Sequence, residues 1–222
     1  MDNKVFSQMN IETLMPSNNH NYNRNTGKID VNMISTGKSI NIDPSKDFNS
    51  HNLLNVNSLN AEIIELSYNE QTDFPPKDEA LNFDAEGLAY HNDSLWIITK
   101  CRSIPFEGNA YIYKFPTKAG KYNLKRKSHL FIGKEGFIKD AVTSLDIYNN
   151  KVYLLTYNRI LIYAIIENKL SFENQYYIKP YSQKEALIVK NKNEIYLTDE
   201  STKILGGGYL YKLTLDATKI KH

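Results

Sequence analysis

One pattern occurs three times in the second half of this sequence, and it limits the fold more than any other feature. Each copy has an apolar segment, a short turn and a second apolar segment that ends at a threonine. Each copy ends 13 positions after it opens, and the opening and closing residues are Glu86 and Thr99, Thr143 and Thr156, and Glu185 and Thr198. A third apolar segment with aromatic residues follows each copy, at 111–113, 161–163 and 209–211.

A repeat of about 40 to 50 residues with three or four short strands is typical of the blade of a β-propeller. The sequence therefore predicts an all-β fold, a β-propeller with antiparallel four-stranded blades. Three blades are clear, and the N-terminal part of the chain would add an irregular contribution. The expected strands lie at 85–90, 94–99, 110–115 and 128–132, then at 142–148, 151–157, 160–166 and 175–178, and then at 185–190, 194–199 and 209–215.

Closure of the ring is the difficulty for this prediction, because a propeller has at least about four blades. One hypothesis is that residues 28–68 supply a fourth, irregular blade. Residues 62–68 could also form the outer strand that the last blade lacks and so join the ends of the chain. The alternative is that this sequence is the C-terminal part of a longer propeller. An incomplete ring would leave strand edges open and favour oligomers.

Residues 1–60 differ in composition from the rest of the chain. The run at 17–25 is polar and has no hydrophobic period, which indicates a partly disordered segment. Alternating apolar residues on both sides of a Ser-Thr-Gly-Lys turn indicate a hairpin at 28–42. The expected organisation is therefore an N-terminal segment at 1–60 and propeller repeats at 61–222.

Composition and charge argue against several classes of protein. The chain has 27 basic and 25 acidic residues and a formal charge of +2, which is too balanced for a dedicated nucleic-acid binder. Cys101 is the one cysteine, so no disulfide within the chain is expected. No apolar run approaches the about 20 residues that cross a bilayer, and the first residues do not have the pattern of a signal peptide. We therefore expect no membrane span, and the compartment stays open.

Three blocks of residues occur in an order that points to a family. The first block reads Ser-Tyr-Asn-Glu-Gln-Thr-Asp-Phe at 67–74, Asn-Phe-Asp-Ala-Glu-Gly-Leu at 82–88 and Leu-Trp-Ile-Ile-Thr-Lys at 95–100. The second block reads Ile-Lys-Asp-Ala-Val-Thr-Ser-Leu-Asp-Ile at 138–147. The third block begins with Gln-Lys-Glu-Ala-Leu at 183–187.

With these blocks the chain resembles a family of bacterial β-propeller proteins, many of them from Bacteroidetes, that is loosely similar to the SdiA-regulated and phytase-like propellers. The resemblance covers roughly residues 62–215. Relatives usually have further blades at the N-terminus and often an export signal, so the resemblance implies an N-terminally shortened member. Ser144 and Leu145 stand where the family usually has Gly-Ala. The family brings no settled activity, so the resemblance implies a fold and not a reaction.

Carboxylates recur at matching positions in the copies and are the strongest candidates for a site. Glu86 and Glu185 open the first and third copies, and Asp146 follows the opening residue of the second copy by three positions. In a propeller the first strand of each blade lines the central channel, so these side chains would converge there. Like charges so placed need a cation or a shared proton, and Lys100 is a suitable partner. The full set of channel or ligand candidates is Glu86, Lys100, Asp146, Glu185, Asp199 and Glu200.

Three interpretations of these carboxylates are open. In the first, each carboxylate binds backbone N–H groups or a lysine and fixes the packing of its blade. In the second, Glu86, Asp146 and Glu185 hold a metal ion, and Ca²⁺ is the cofactor that such oxygen ligands favour. In the third, two of them act as a general acid and base. Because the sequence has neither a Gly-x-Ser-x-Gly elbow nor an HExxH motif, we assign no catalytic residue and favour a protein that is not an enzyme.

The predicted function is therefore a propeller scaffold that binds a small ligand or a protein through loops at the mouth of its channel. The alternative is a metal-dependent hydrolase of the phytase-like or lactonase-like propeller type. Carboxylates that converge within coordination distance of one ion would favour the hydrolase. Carboxylates that pair with lysine or with the backbone would favour the scaffold.

Overall fold

The fold is all-β in a computed structural model that describes residues 62–179, 181–201 and 207–215 and the backbone of three short segments before them. The helices of these residues are one 3₁₀ turn, Asp78–Ala80, and one four-residue helix, α1 (Phe137–Asp140), and no helix among them is long and apolar enough to cross a membrane. The strands are β1 (Met9–Leu14), β2 (Tyr22–Asn23), β3 (Lys28–Ile29), β4 (Ile64–Tyr68), β5 (Asp84–His91), β6 (Ser94–Lys100), β7 (Asn109–Pro116), β8 (Gly120–Leu124), β9 (Ser128–Phe131), β10 (Val142–Tyr148), β11 (Lys151–Thr156), β12 (Arg159–Ile166), β13 (Lys169–Tyr177), β14 (Lys184–Asn191), β15 (Glu194–Asp199) and β16 (Leu210–Leu215).

Three antiparallel four-stranded sheets contain most of the described strands. The first sheet has the order β5-β6-β7-β9, the second β10-β11-β12-β13, and the third β14-β15-β16-β1. All neighbours within them are antiparallel, as the repeat predicts. The sequence does not predict β8, and it places the start of β13 several residues too late.

Tight turns join consecutive strands in the first two sheets. Both central residues of the turns have positive φ, at 46° and 56° for Asn92 and Asp93 and at 50° and 56° for Asn149 and Asn150. Asn and Asp tolerate this left-handed conformation better than most residues. Two such residues make the type I′ turn whose twist matches the flanking strands. The sequence therefore sets these two hairpins locally.

The fourth strand of the third sheet comes from the N-terminal part of the chain. β1 pairs antiparallel with β16, from Met9 opposite Leu215 to Leu14 opposite Leu210. The sequence predicts this outer position for 62–68, and that prediction is wrong because β1 already occupies the edge of β16. β4 instead forms a separate two-stranded sheet with β8.

Two hydrophobic cores lie on opposite faces of the second sheet, because successive side chains of a strand point to opposite faces. In β11, Val152 and Leu154 pack into the core shared with the first sheet, which includes Trp96. Tyr153 and Leu155 pack into the core shared with the third sheet. Both faces of the second sheet are therefore buried, which explains the near-continuous apolar run in its strands.

The first strands of the three sheets are neighbours, since β10 contacts both β5 and β14. Gly87 allows the approach of β5 to β10. A Cβ atom on this glycine would lie 2.4 Å from the Cβ atom of Leu145 and 2.7 Å from its backbone nitrogen. This neighbourhood is the one expected for the inner strands of propeller blades, but the described residues form no closed ring.

The chain divides into two compact units. The larger unit, Met1–Met15, Leu66–Lys118 and Tyr122–His222, contains the three sheets, and the smaller one comprises Pro16–Glu65 and Ala119–Lys121. In the smaller unit β2 pairs with β3, and Lys121 Nζ lies 2.6 Å from Glu65 Oε2. β3 comprises the first two residues of the hairpin predicted at 28–42. The rest of that hairpin and most of the predicted segment 1–60 lie outside the described residues.

Candidate functional site at one end of the inner strands

A β-bulge interrupts the first strand of each sheet at the same place in the repeat. The pairing shifts register at 85–87 in β5, at 142–144 in β10 and at 184–186 in β14. The extra residues are Glu86, Thr143 and Glu185, which are the opening residues of the three sequence copies. A bulge turns a side chain out of the regular ladder and is frequent beside functional sites. The sequence repeat thus corresponds to a repeated local geometry.

Lys100, the last residue of β6, is the centre of a charged cluster at this end. Its Nζ atom donates a hydrogen bond to Glu86 Oε1 at 2.7 Å and lies 4.0 Å from Glu185 Oε2. The lysine side chain is 3% exposed, whereas those of Glu86 and Glu185 are 16% and 30% exposed. One buried ammonium therefore joins carboxylates from the first and third sheets.

Aromatic rings complete the surroundings of the ammonium group. Lys100 Nζ lies 5.4 Å from the ring centre of Tyr157 and 5.9 Å from that of Phe137. Cations at such distances are attracted to the negative faces of the rings. Tyr157 follows Thr156 in the second copy as Lys100 follows Thr99 in the first, so the second sheet contributes to the cluster from the equivalent position.

Arg102 and Asp84 form the more exposed side of the cluster. Arg102 Nε donates to Asp84 Oδ2 at 2.5 Å, and its Nη2 atom donates to Glu86 Oε1 at 3.4 Å. The two side chains are 47% and 38% exposed. The guanidinium carbon also lies 5.4 Å from the ring centre of Phe137. We name the group Asp84, Glu86, Lys100, Arg102 and Glu185 the Lys100 cluster.

The shared lysine leaves both glutamates incompletely neutralised. Burial raises the pKa of Glu86 above its usual 4.5, and Asp84 adds to the rise against the opposing effect of Lys100. Burial likewise raises the pKa of Glu185, with Glu86 and Glu200 adding to the rise and Lys100 opposing it. For Lys100, burial lowers the pKa, but the carboxylates and Tyr157 outweigh burial and raise it. The lysine therefore stays charged, and its effect on the pKa of each glutamate is smaller than that of burial.

Asp199 and Glu200 do not belong to the Lys100 cluster. Asp199 accepts a hydrogen bond from the Tyr211 hydroxyl at 2.6 Å and another from the backbone N–H of Tyr209 at 2.8 Å, so it connects β15 to β16. Glu200 donates its backbone N–H to the carbonyl of Gln183 at 2.8 Å. Its carboxylate repels Glu185 and so adds to the rise in the pKa of that residue.

Asp146, the third residue of the predicted metal site, has partners other than those of the Lys100 cluster. Its carboxylate accepts the backbone N–H groups of Ile147 at 2.8 Å and Val189 at 2.7 Å, and the second bond holds β10 to β14. The side chain is therefore directed towards β14. The described residues contain no group of three or more His, Cys, Asp or Glu side chains that could hold a metal ion.

A cleft of about 210 Å³ adjoins the Lys100 cluster. Its lining residues are Gln71, Pro76, Leu81, Phe83, Asp84 and Arg102. The ion pair of Asp84 and Arg102 is therefore both a wall of the cleft and the outer edge of the cluster. Sequence reasoning missed this pair although Asp84 lies in the first family block. For Phe137 the sequence carries no signal, because it comes from α1, outside the repeat.

Comparisons with known proteins give no family for this chain. No protein-family model and no curated protein matches it. Among solved structures it is similar to a luciferin-regenerating enzyme, with a TM-score of 0.40 and 14% identity over 60% of this chain and 45% of the other. It is also similar to Sqt1 of Saccharomyces cerevisiae, with a TM-score of 0.37 and 8% identity over 62% of this chain and 37% of the other. The chain spans less than half the length of either protein, and similarity at this level carries no argument about activity.

Proposed function

We propose that the chain is a propeller-type scaffold that binds a small ligand at the Lys100 cluster and the adjoining cleft. The observation that carries the proposal is that Glu86 and Glu185, at equivalent bulges in two sheets, both reach one buried lysine and both keep exposed surface. Convergent polar groups beside a cleft are the usual features of a binding site. Three sheets with neighbouring first strands support the propeller arrangement.

Charge balance supports a binding role for the cluster. Three carboxylates face two cations, so the cluster has one excess negative charge. Glu185 lies 4.0 Å from Lys100 Nζ, beyond a normal hydrogen bond. A partly exposed carboxylate that lies this far from its cation can accept a hydrogen bond from a ligand in addition to the one that it shares with Tyr157.

The metal-dependent hydrolase has no supporting observation among the described residues. Glu86 binds Lys100 and Arg102, and Asp146 binds backbone N–H groups. These contacts support a scaffold more than a metal site. The proposal therefore keeps the cluster as a binding site and assigns it no reaction.

A thermal-shift screen with amines, carboxylates, sugars, nucleotides and short peptides tests the proposal, because a ligand that binds only the folded state raises Tm. At least one class of compound should raise the Tm of the wild type and have a smaller effect on Glu185→Gln. Glu173→Gln is the control, since Glu173 lies on β13, the outer strand of the second sheet, and pairs there with Lys151 of β11. The proposal is contradicted if no compound raises Tm, or if every shift persists in Glu185→Gln.

A further inference from the structure

We infer that the ligand is an amine with a small apolar body, held with its ammonium group at Asp84 and its apolar part in the cleft against Pro76, Leu81 and Phe83. This inference rests on the proposed function, since it names the class of ligand that the same site takes. It follows from three independent properties of the cleft: its fixed apolar wall, its charges and its size.

The apolar wall of the cleft is held in place by contacts on its outer side. The ring of Phe83 packs between Tyr68 and Tyr111, with ring centres 5.5 Å and 6.1 Å away. The carbonyl of Leu81 accepts the backbone N–H of Arg102 at 2.7 Å, which fixes the opposite side. A preformed wall loses little conformational entropy when a ligand binds. The cleft can therefore bind an apolar group without rearrangement.

The charges beside the cleft favour a cation over an anion. Arg102 is the one cation in the lining, and both Asp84 and Glu86 already accept its N–H groups. Lys100 is buried and is not among the residues that line the cleft. An anionic ligand would have to displace carboxylates from Arg102 and would add to an existing excess of negative charge. An ammonium group can instead bind the exposed part of Asp84 alongside Arg102, since a carboxylate can accept from more than one donor and this side chain is 38% exposed, and the added cation offsets that excess.

The volume limits the apolar part to about the size of one ring or a short chain. The cleft holds about 210 Å³, below the roughly 300 to 1,000 Å³ of sites for drug-sized ligands. The amide of Gln71 lines the same cleft and can bind a single further polar group. A phenylalkylamine is therefore a suitable probe.

Three probes with the same apolar body test the inference: phenethylamine, 3-phenylpropionate and 2-phenylethanol. Their binding to the full chain is measured by calorimetry at pH 7. Phenethylamine should bind at least about tenfold more tightly than the other two, because a charge-assisted hydrogen bond contributes more than a neutral one. Asp84→Asn should remove about that factor, while Glu173→Gln should leave the affinity unchanged.

A second variant protects the test against misfolding of Asp84→Asn. Leu81→Ala keeps every charge and shortens one wall of the cleft, so it should weaken phenethylamine binding while the preference over 3-phenylpropionate persists. Tighter binding of 3-phenylpropionate, or phenethylamine binding that both variants leave unchanged, would overturn the inference. If none of the three probes binds while the compound screen finds another class, the amine is wrong and the proposed function stands. If the screen also finds nothing, both fail.

Discussion

Arg159 and Lys100, two of the buried cations among the described residues, have different surroundings. Arg159 donates from Nη2 to Asp140 Oδ1 at 2.5 Å and to the carbonyl of Ile132 at 2.9 Å. The side chain of Arg159 is 7% exposed and that of Asp140 is 0% exposed. Lys100 is buried as deeply, but it faces two carboxylates that remain partly exposed. The first cation has one matched and enclosed partner, whereas the second shares its charge between two partners at the surface.

The two sites differ in the number of carboxylates for each cation and in the exposure of those carboxylates, and this difference distinguishes a structural ion pair from a binding site. Asp140 also accepts the backbone N–H of Glu135 at 2.6 Å, so its carboxylate is fully enclosed by protein. An enclosed one-to-one pair contributes to the integrity of the fold, because loss of either partner leaves a buried charge. An excess of carboxylates near solvent instead leaves capacity for a ligand. The following variants test that difference, in order of expected effect.

Asp140→Asn should have the largest effect on stability. The variant leaves Arg159 buried without a counter-charge, which typically costs about 3–5 kcal/mol. Urea unfolding at pH 7 measures the loss. Glu135→Gln is the control, since it removes an exposed pair with Lys139 and should therefore change the stability far less. A loss below about 1 kcal/mol for Asp140→Asn would show that the enclosed pair is not structural.

Lys100→Met should cost less, about 1–3 kcal/mol at pH 7, and the loss should depend on pH. Glu185 would lose its lysine and Glu86 would keep only the longer contact with Arg102, so the already raised pKa values of both glutamates should rise further. A raised carboxyl pKa means that the folded state binds protons more tightly than the unfolded state, so the deficit should shrink as the pH falls. Unfolding curves at pH 7 and pH 5 measure this. A deficit that does not change with pH would contradict the shared pairing.

Gly87→Ala should destabilise the fold by about 1–3 kcal/mol through overpacking between β5 and β10. The added methyl group would meet Leu145, which belongs to the core between the first two sheets. Ala186→Ser is the matched control, because Ala186 follows the bulge of the third sheet and is exposed. Equal stability of wild type and Gly87→Ala would mean that these inner strands are not in contact.

Calcium should have the smallest effect. Glu86 is already paired with Lys100, and Asp146 is bound to backbone N–H groups, so neither carboxylate is free for a shared ion. We therefore expect no change in Tm when millimolar calcium replaces a chelator. A rise in Tm with calcium that is lost in Glu86→Gln or Glu185→Gln would support the metal site predicted from the sequence.

The sequence predicts those parts of the site that depend on local pattern. The repeat places Glu86 and Glu185 at equivalent positions because a bulge and the hairpin after it are set by neighbouring residues. The same repeat predicts Lys100 as their cationic partner, because it directly follows the closing threonine of the first copy. The frame does not indicate that Asp146 accepts the backbone N–H of Val189, because that bond depends on how β10 lies beside β14.

Long-range pairing is the part that the sequence does not predict. β1 and β16 lie at opposite ends of the chain, and no local signal in Met9–Leu14 identifies its partner. Arg102 is outside the repeat, so its contact with Phe137 depends on how two sheets pack. The sequence therefore predicts the strands and the carboxylates, and the structure adds the contacts between sheets that assemble the site.

The titration of Glu185, followed by carboxyl NMR in the wild type and in Glu86→Gln, tests most directly whether two sheets converge on Lys100. In the wild type burial raises the pKa of Glu185, and the charge of Glu86 adds to the rise. Removal of that charge also frees Lys100 to pair with Glu185, so the account predicts a lower pKa for Glu185 in the variant. An unchanged pKa would show that the two carboxylates are not neighbours and would contradict the site.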